Sequence, residues 1–77
     1  MKITVELRGY LDQYAPGDES TFPYEMPAGA TVRDVLDRLQ ITDELASAVI
    51  VGGEATDVEH SLAEGDRLTL IPPLAGG

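Results

Sequence analysis

The chain has 77 residues, room for one domain that buries only about 60% of the surface its unfolded form exposes, which counts against a deep active-site cavity and a self-sufficient enzyme. Fourteen acidic against five basic residues give a formal net charge of −9, which disfavours nucleic acid and anionic membranes and suits a partner with a basic docking face. There is no cysteine, so disulfides, cysteine zinc sites and a thiol nucleophile are excluded.

Residues 2–8 alternate, with Ile3, Val5 and Leu7 on one face and Lys2, Thr4, Glu6 and Arg8 on the other, which predicts a half-buried strand. This opening reads as a strand and not as a signal peptide, because no apolar run follows Lys2. No stretch approaches the roughly 20 apolar residues of a membrane span, so the cytoplasm is the expected location. Residues 9–20 read as a loop with a turn at Pro16-Gly17-Asp18, packed down by Tyr10, Leu11 and Tyr14. Residues 21–26 form a weaker strand, which Pro23 marks as an edge or as its beginning.

After a turn at residues 27–30, Thr31 and Asp34 have the spacing of a capping box. Val32, Val35, Leu36 and Leu39 then make one apolar helix stripe, ending near Gln40. Arg33–Asp37 and Asp34–Arg38 are spaced as ion pairs on its wet side. Residues 41–47 hold a further short turn, with Thr42 placed to cap it and Asp43-Glu44 in its first turn. Ala48-Val49-Ile50-Val51 is a buried strand, Gly52-Gly53 a hairpin turn and residues 54–56 its return strand. Residues 57–65 read as a connecting loop, with room for a turn of helix. In it His60 has no second ligand type at metal spacing, so no metal site is expected. Gly65-Asp66 turns into a last strand at 67–71, with Asp66 closing the turn. The carboxylates of these loops form no acid/base pair, and there is no phosphate-cradling motif.

The end of the chain carries the distinctive pattern. Leu68 and Leu70 alternate with Arg67 and Thr69, and Ile71 falls in phase with the outward set, where it is a candidate partner contact. Pro72 and Pro73 have no N–H for a sheet ladder and bias the preceding residues to extended backbone, so they end the strand and act as a stiff spout. Leu74 and Ala75 follow, then Gly76 and Gly77, which fit a slot too narrow for other residues. This places the Gly77 carboxylate for use as a reagent. Residues 1–77 are read as one domain with 72–77 as a flexible C-terminal tail.

Gly65-Asp66, the short apolar strand, Pro72-Pro73 and Gly76-Gly77 at this spacing resemble the MoaD/ThiS family of ubiquitin-like sulfur carriers. The double proline is most similar to the MoaD branch, the small subunit of molybdopterin synthase. Asparagine is frequent in the family where Gly52 stands here. The resemblance implies an α+β chain with the β-grasp fold: a small mixed sheet of four to five strands, covered by one main helix, with first and last strands parallel in its centre. It also implies that an E1-like adenylating enzyme, using its own ATP and magnesium, activates Gly77. A sulfur donor system then converts it to a thiocarboxylate. The tail next enters the large subunit of molybdopterin synthase, or another sulfur acceptor enzyme, with Leu74 and Ala75 along the channel. The chain itself binds no cofactor. Three alternatives stay open: a carrier for thiamine or another pathway, a ubiquitin-like modifier joined through Gly77 to other proteins, and a binding module with no C-terminal chemistry. Lys2 is the sole lysine, which limits chain building on itself.

Overall fold

The computed structural model describes residues 1–73. Strands β1 (Lys2–Leu7), β2 (Thr21–Glu25), β3 (Ala48–Val51), β4 (Glu54–Thr56) and β5 (Arg67–Ile71) form one sheet in the order β2-β1-β5-β3-β4. Helix α1 (Val32–Leu39) lies between β2 and β3 in sequence. β1 and β5 are parallel neighbours, with Val5 opposite Leu68 and Leu7 opposite Leu70. The remaining pairs are antiparallel. This is the α+β, β-grasp arrangement that the resemblance implies.

The period-two and helical stripes meet in one core. Ile3, Val5, Leu7, Leu68 and Leu70 from the central strands and Val32, Val35 and Leu36 from α1 are all buried in a single cluster. Fully burying such a side chain stabilises by about 1.5–3 kcal/mol, so this sheet–helix interface supplies most of what holds a short chain folded. Pro23 sits on the edge strand β2, opposite Thr4, as its missing donor requires. The Gly52-Gly53 turn has φ of 60 and 86, both positive, the backbone a two-residue hairpin asks for.

Both ends of α1 are closed. The Asp34 N–H donates to the Thr31 hydroxyl at 3.4 Å and the Thr31 N–H to the Asp34 carboxylate at 2.9 Å, which makes the expected capping box. The loop at 57–65 contributes more than a connection. The Val32 N–H donates to the His60 carbonyl and the Arg33 N–H to the Val58 carbonyl, at 3.1 and 2.9 Å. Donors that a helix start leaves orphaned are therefore satisfied by this loop. At the other end the Gln40 N–H donates to the Asp37 carbonyl and the Ile41 N–H to the Leu36 carbonyl, a Schellman closure with Ile41 packed in the core.

That closure puts Gln40 at φ 62, the one non-glycine residue with positive φ among those described. A left-handed residue with a Cβ costs roughly 1–2 kcal/mol, and glycine's larger unfolded-state entropy takes back about 0.4–1. Because Gln40 is exposed, Gln40→Gly is expected to stabilise by about 0.5–1 kcal/mol, raising Tm by roughly 2–8 °C. Thermal unfolding followed by circular dichroism reads this directly, and a lowered Tm would contradict it.

Five expectations are corrected. Residues 9–20 are not loop throughout, since Gly9–Tyr14 is a 3₁₀ helix. Leu11 anchors it with no exposed surface, and Tyr14 packs on the core, but Tyr10 is 43% exposed and does not. Arg33 does not pair with Asp37. It reaches Asp43 at 2.8 Å and Glu59 at 3.1 Å, linking α1 to the short helix that follows it and to the 57–65 loop. Asp34 is held by the capping box instead of by Arg38. The short helix after α1, Asp43–Leu45, follows Thr42 as expected, yet the Thr42 side chain makes no capping bond.

Candidate functional site

β5 carries the expected site. It lies between β1 and β3, so both of its edges are hydrogen-bonded, and Leu68 and Leu70 fix it to the core. Its last turns are closed residue by residue. The Arg8 N–H donates to the Leu70 carbonyl at 3.0 Å, and Ile71 stands opposite Ala48. The strand ends at Ile71, where Pro72 offers no N–H. Upstream, Gly65 at φ 84 makes the turn into β5. The Ala63 N–H donates to the Asp66 carboxylate at 2.8 Å, so Asp66 closes that turn.

Of the residues singled out from the sequence, Ile71, Pro72 and Pro73 are described, and each is half-buried. Leu74, Ala75, Gly76 and Gly77 lie outside the described residues. Ile71 is on the sheet face opposite α1, in register with Ala48 and one step from the half-buried Ile50. Pro72 does not leave the body at once, as a simple spout would. It lies against Gly9, at the joint between β1 and the 3₁₀ helix: a Cβ added to Gly9 would sit 3.1 Å from Pro72 Cγ.

The same open face holds a small charge network. Glu6 is opposite Thr69 across the parallel pair. Its carboxylate accepts from the Thr69 hydroxyl at 3.1 Å and from Arg67 at 3.2 Å, and pairs with Arg8 at 3.2 Å. Partial burial pushes the Glu6 carboxyl up, but the hydrogen bonds from Thr69 and Arg67, with the charges of Arg8 and Arg67, outweigh it and hold the pKa below the ordinary glutamate value. The sign follows from linkage: a depressed folded pKa gives stability that is present at neutral pH and lost as pH falls through it. Glu6→Gln is therefore expected to lower Tm at pH 7, and the gap from wild type should close as pH falls below about 4.3. A gap independent of pH between 7 and 3 would contradict this.

Sequence reading missed Gly9 and the Glu6 network. A glycine directly after an alternating strand was the available signal for the first. The network depends on the parallel pairing of β1 with β5, which no local pattern encodes. His60 uses its backbone carbonyl to cap α1. No group of histidine, cysteine or acidic side chains among the described residues is placed to hold a metal.

The mixed sheet with parallel central strands and one main helix defines a ubiquitin-like β-grasp protein. The ThiS family model matches residues 9–77. This chain belongs to the ThiS family. Among solved structures it is similar to SAMP1, small archaeal modifier protein 1, from Haloferax volcanii. The identity is 27%, the TM-score 0.74, and each chain is covered over 100% of its length. It shares its fold with a Pyrococcus furiosus protein assigned as molybdopterin converting factor subunit 1 (22% identity, TM-score 0.73, 95% of this chain and 98% of that one). It also shares it with a chain from the complex of subunits 1 and 2 of the Helicobacter pylori molybdopterin-converting factor (23%, TM-score 0.62, 100% of both). No curated protein matches the chain. None of the helices among the described residues is long and apolar enough to cross a membrane.

Proposed function

We propose that this chain is a sulfur carrier whose reacting group is the carboxylate of Gly77, at the end of a tail formed by residues 72–77. The observation that carries the reading is the ThiS family match running through residue 77, over a segment that reads Pro72-Pro73-Leu74-Ala75-Gly76-Gly77. A carboxylate resists nucleophiles because its charge and resonance lower the electrophilicity of the carbonyl. An oxygen of Gly77 attacks the α-phosphorus of ATP and pyrophosphate leaves, which yields an acyl adenylate. The terminal sulfur of a persulfide donor then attacks the carbonyl carbon and AMP leaves, which yields an acyl disulfide. A thiol of the donor system cleaves its S–S bond, releasing the Gly77 thiocarboxylate and leaving the donor as a disulfide. ATP and magnesium belong to an E1-like adenylating enzyme. Gly76 supplies slenderness, Leu74 and Ala75 touch the walls of the partner's channel, and Ile71 contacts the partner at the body.

Molybdopterin synthesis in the cytoplasm, with this chain as the small subunit, is the pathway we favour. It is supported by Pro72-Pro73 and by the fold shared with molybdopterin converting factor subunits. A second reading, attachment of Gly77 to lysines of other proteins, is favoured by the likeness to a protein named as a modifier. Both begin with adenylation, and ATP–pyrophosphate exchange tests that step. Mixed with the E1-like enzyme of its own cell, the chain is expected to drive label from pyrophosphate into ATP with no sulfur donor present. Absence of chain-dependent exchange would exclude both readings and leave a binding module.

A further inference from the structure

We propose that Gly9 is a positioning residue for the tail: its bare Cα is a seat for the Pro72 ring, and this seat sets the direction in which the chain leaves β5. The proposal rests on the carrier reading for its functional consequence and on geometry for the seat itself. Gly9 has φ +54, and a Cβ there would meet Pro72 Cγ at 3.1 Å and Cδ at 3.7 Å, the only such close approach among the described glycines. Contact this close is tighter than nearly all real Cβ contacts, so one side must give by a few tenths of an ångström.

The two sides are not equally free to do so. The Gly9 side is tied down: the preceding Arg8 N–H donates to the Leu70 carbonyl at 3.0 Å, the Leu11 N–H donates to the Arg8 carbonyl at 3.1 Å, and Leu11 is buried in the core. Pro72 lies beyond the last paired residue of β5, with no N–H to hold it. A side chain at position 9 therefore moves Pro72 and leaves the body in place. Everything beyond Pro72 is re-aimed with it. A shift of a few tenths of an ångström at Pro72 turns the chain's direction and grows over the five residues to Gly77. An activating enzyme that must bring the Gly77 carbonyl to near-attack distance is sensitive to it, since misplacement of about 1 Å there costs on the order of 100-fold.

The test is a double-mutant cycle. Gly9→Ala adds the Cβ, and Gly9→Asn adds it with less backbone strain, because asparagine enters the left-handed region more readily. Each is made on wild type and on Pro72→Ala, which lacks the Cγ and Cδ that a Cβ at position 9 would meet. The first readout needs no partner. In the free protein an NOE links Gly9 Hα to the Pro72 γ protons, and the Leu74 and Ala75 amide shifts move in both position 9 variants but not when these are made on Pro72→Ala. The second readout is kcat/KM for adenylation. It is expected to fall roughly 10-fold or more on wild type and by less than about 2-fold on Pro72→Ala, with Tm changed equally in both backgrounds. Absence of the NOE, or an equal loss of kcat/KM in both backgrounds, would overturn the seat. If the wild-type chain is not adenylated at all, the carrier reading fails, while the NOE and the shift cycle still decide whether Gly9 seats Pro72.

Discussion

One alanine appended after Gly77 is expected to lower kcat/KM for adenylation by at least about 10³-fold while leaving Tm within about 1 °C of wild type. The added residue moves the carboxylate by roughly 3.3–3.6 Å, the span of one extended residue. Catalysis by positioning tolerates far less, since errors of about 1 Å already cost on the order of 100-fold. The new residue also brings a Cβ to a position where Gly77 has none. Stability is not expected to respond, because sheet pairing ends at Ile71 and the core cluster of the described residues runs from Ile3 to Leu70. ATP–pyrophosphate exchange and thermal unfolding, measured on the same preparation, separate the two effects. Exchange that survives the extension would contradict any use of the Gly77 carboxylate.

Leu68→Ala is expected to have the largest effect on stability. Leu68 is fully buried on the central strand, opposite Val5 across the parallel pair and Val51 across the antiparallel one. Truncation removes contacts with both neighbouring strands and leaves a cavity that a hydrogen-bonded strand cannot collapse to fill. Such changes cost about 2–5 kcal/mol. A domain of this size has roughly 4–12 kcal/mol in all. A loss of about 3 kcal/mol lowers Tm by roughly 12–24 °C, enough to leave a large unfolded fraction at 37 °C if the wild type sits near the low end. Circular dichroism melts of wild type and variant make the comparison, and a shift below about 5 °C for Leu68→Ala would show that β5 is not the centre of the core.

Much of this architecture is legible locally. The alternation of Ile3, Val5 and Leu7, the Val32–Val35–Leu36–Leu39 stripe, the Thr31–Asp34 box and the Gly52-Gly53 turn each express a period or a backbone requirement within a few residues. What was not legible depends on contacts distant in sequence. Arg33 has carboxylates at helical spacing, yet takes Asp43 and Glu59 because the short helix after α1 and the 57–65 loop bring them within reach. Val58 and His60 cap α1 through backbone carbonyls, which no side-chain pattern marks. Tyr10 carries no signal that would separate it from the neighbouring Leu11, and only the turn of the 3₁₀ helix decides which of the two is buried. Of the candidate site, the end of β5 was readable from the two prolines. The Gly9 seat required the fold, because it joins the end of β1 to the end of β5.

The most direct measurement exploits the absence of cysteine. The protein is isolated from its own cells in the presence of a thiol-selective alkylating reagent, and its intact mass and C-terminal fragments are recorded. With no thiol in the chain, a thiocarboxylate is the group that reacts and is trapped before it hydrolyses. The expected result is a population carrying one alkyl group on sulfur in place of an oxygen, localised to Gly77. Unalkylated chains throughout, with remnants of the tail in isopeptide linkage to lysines of other proteins, would contradict the sulfur-carrier reading and establish the modifier in its place.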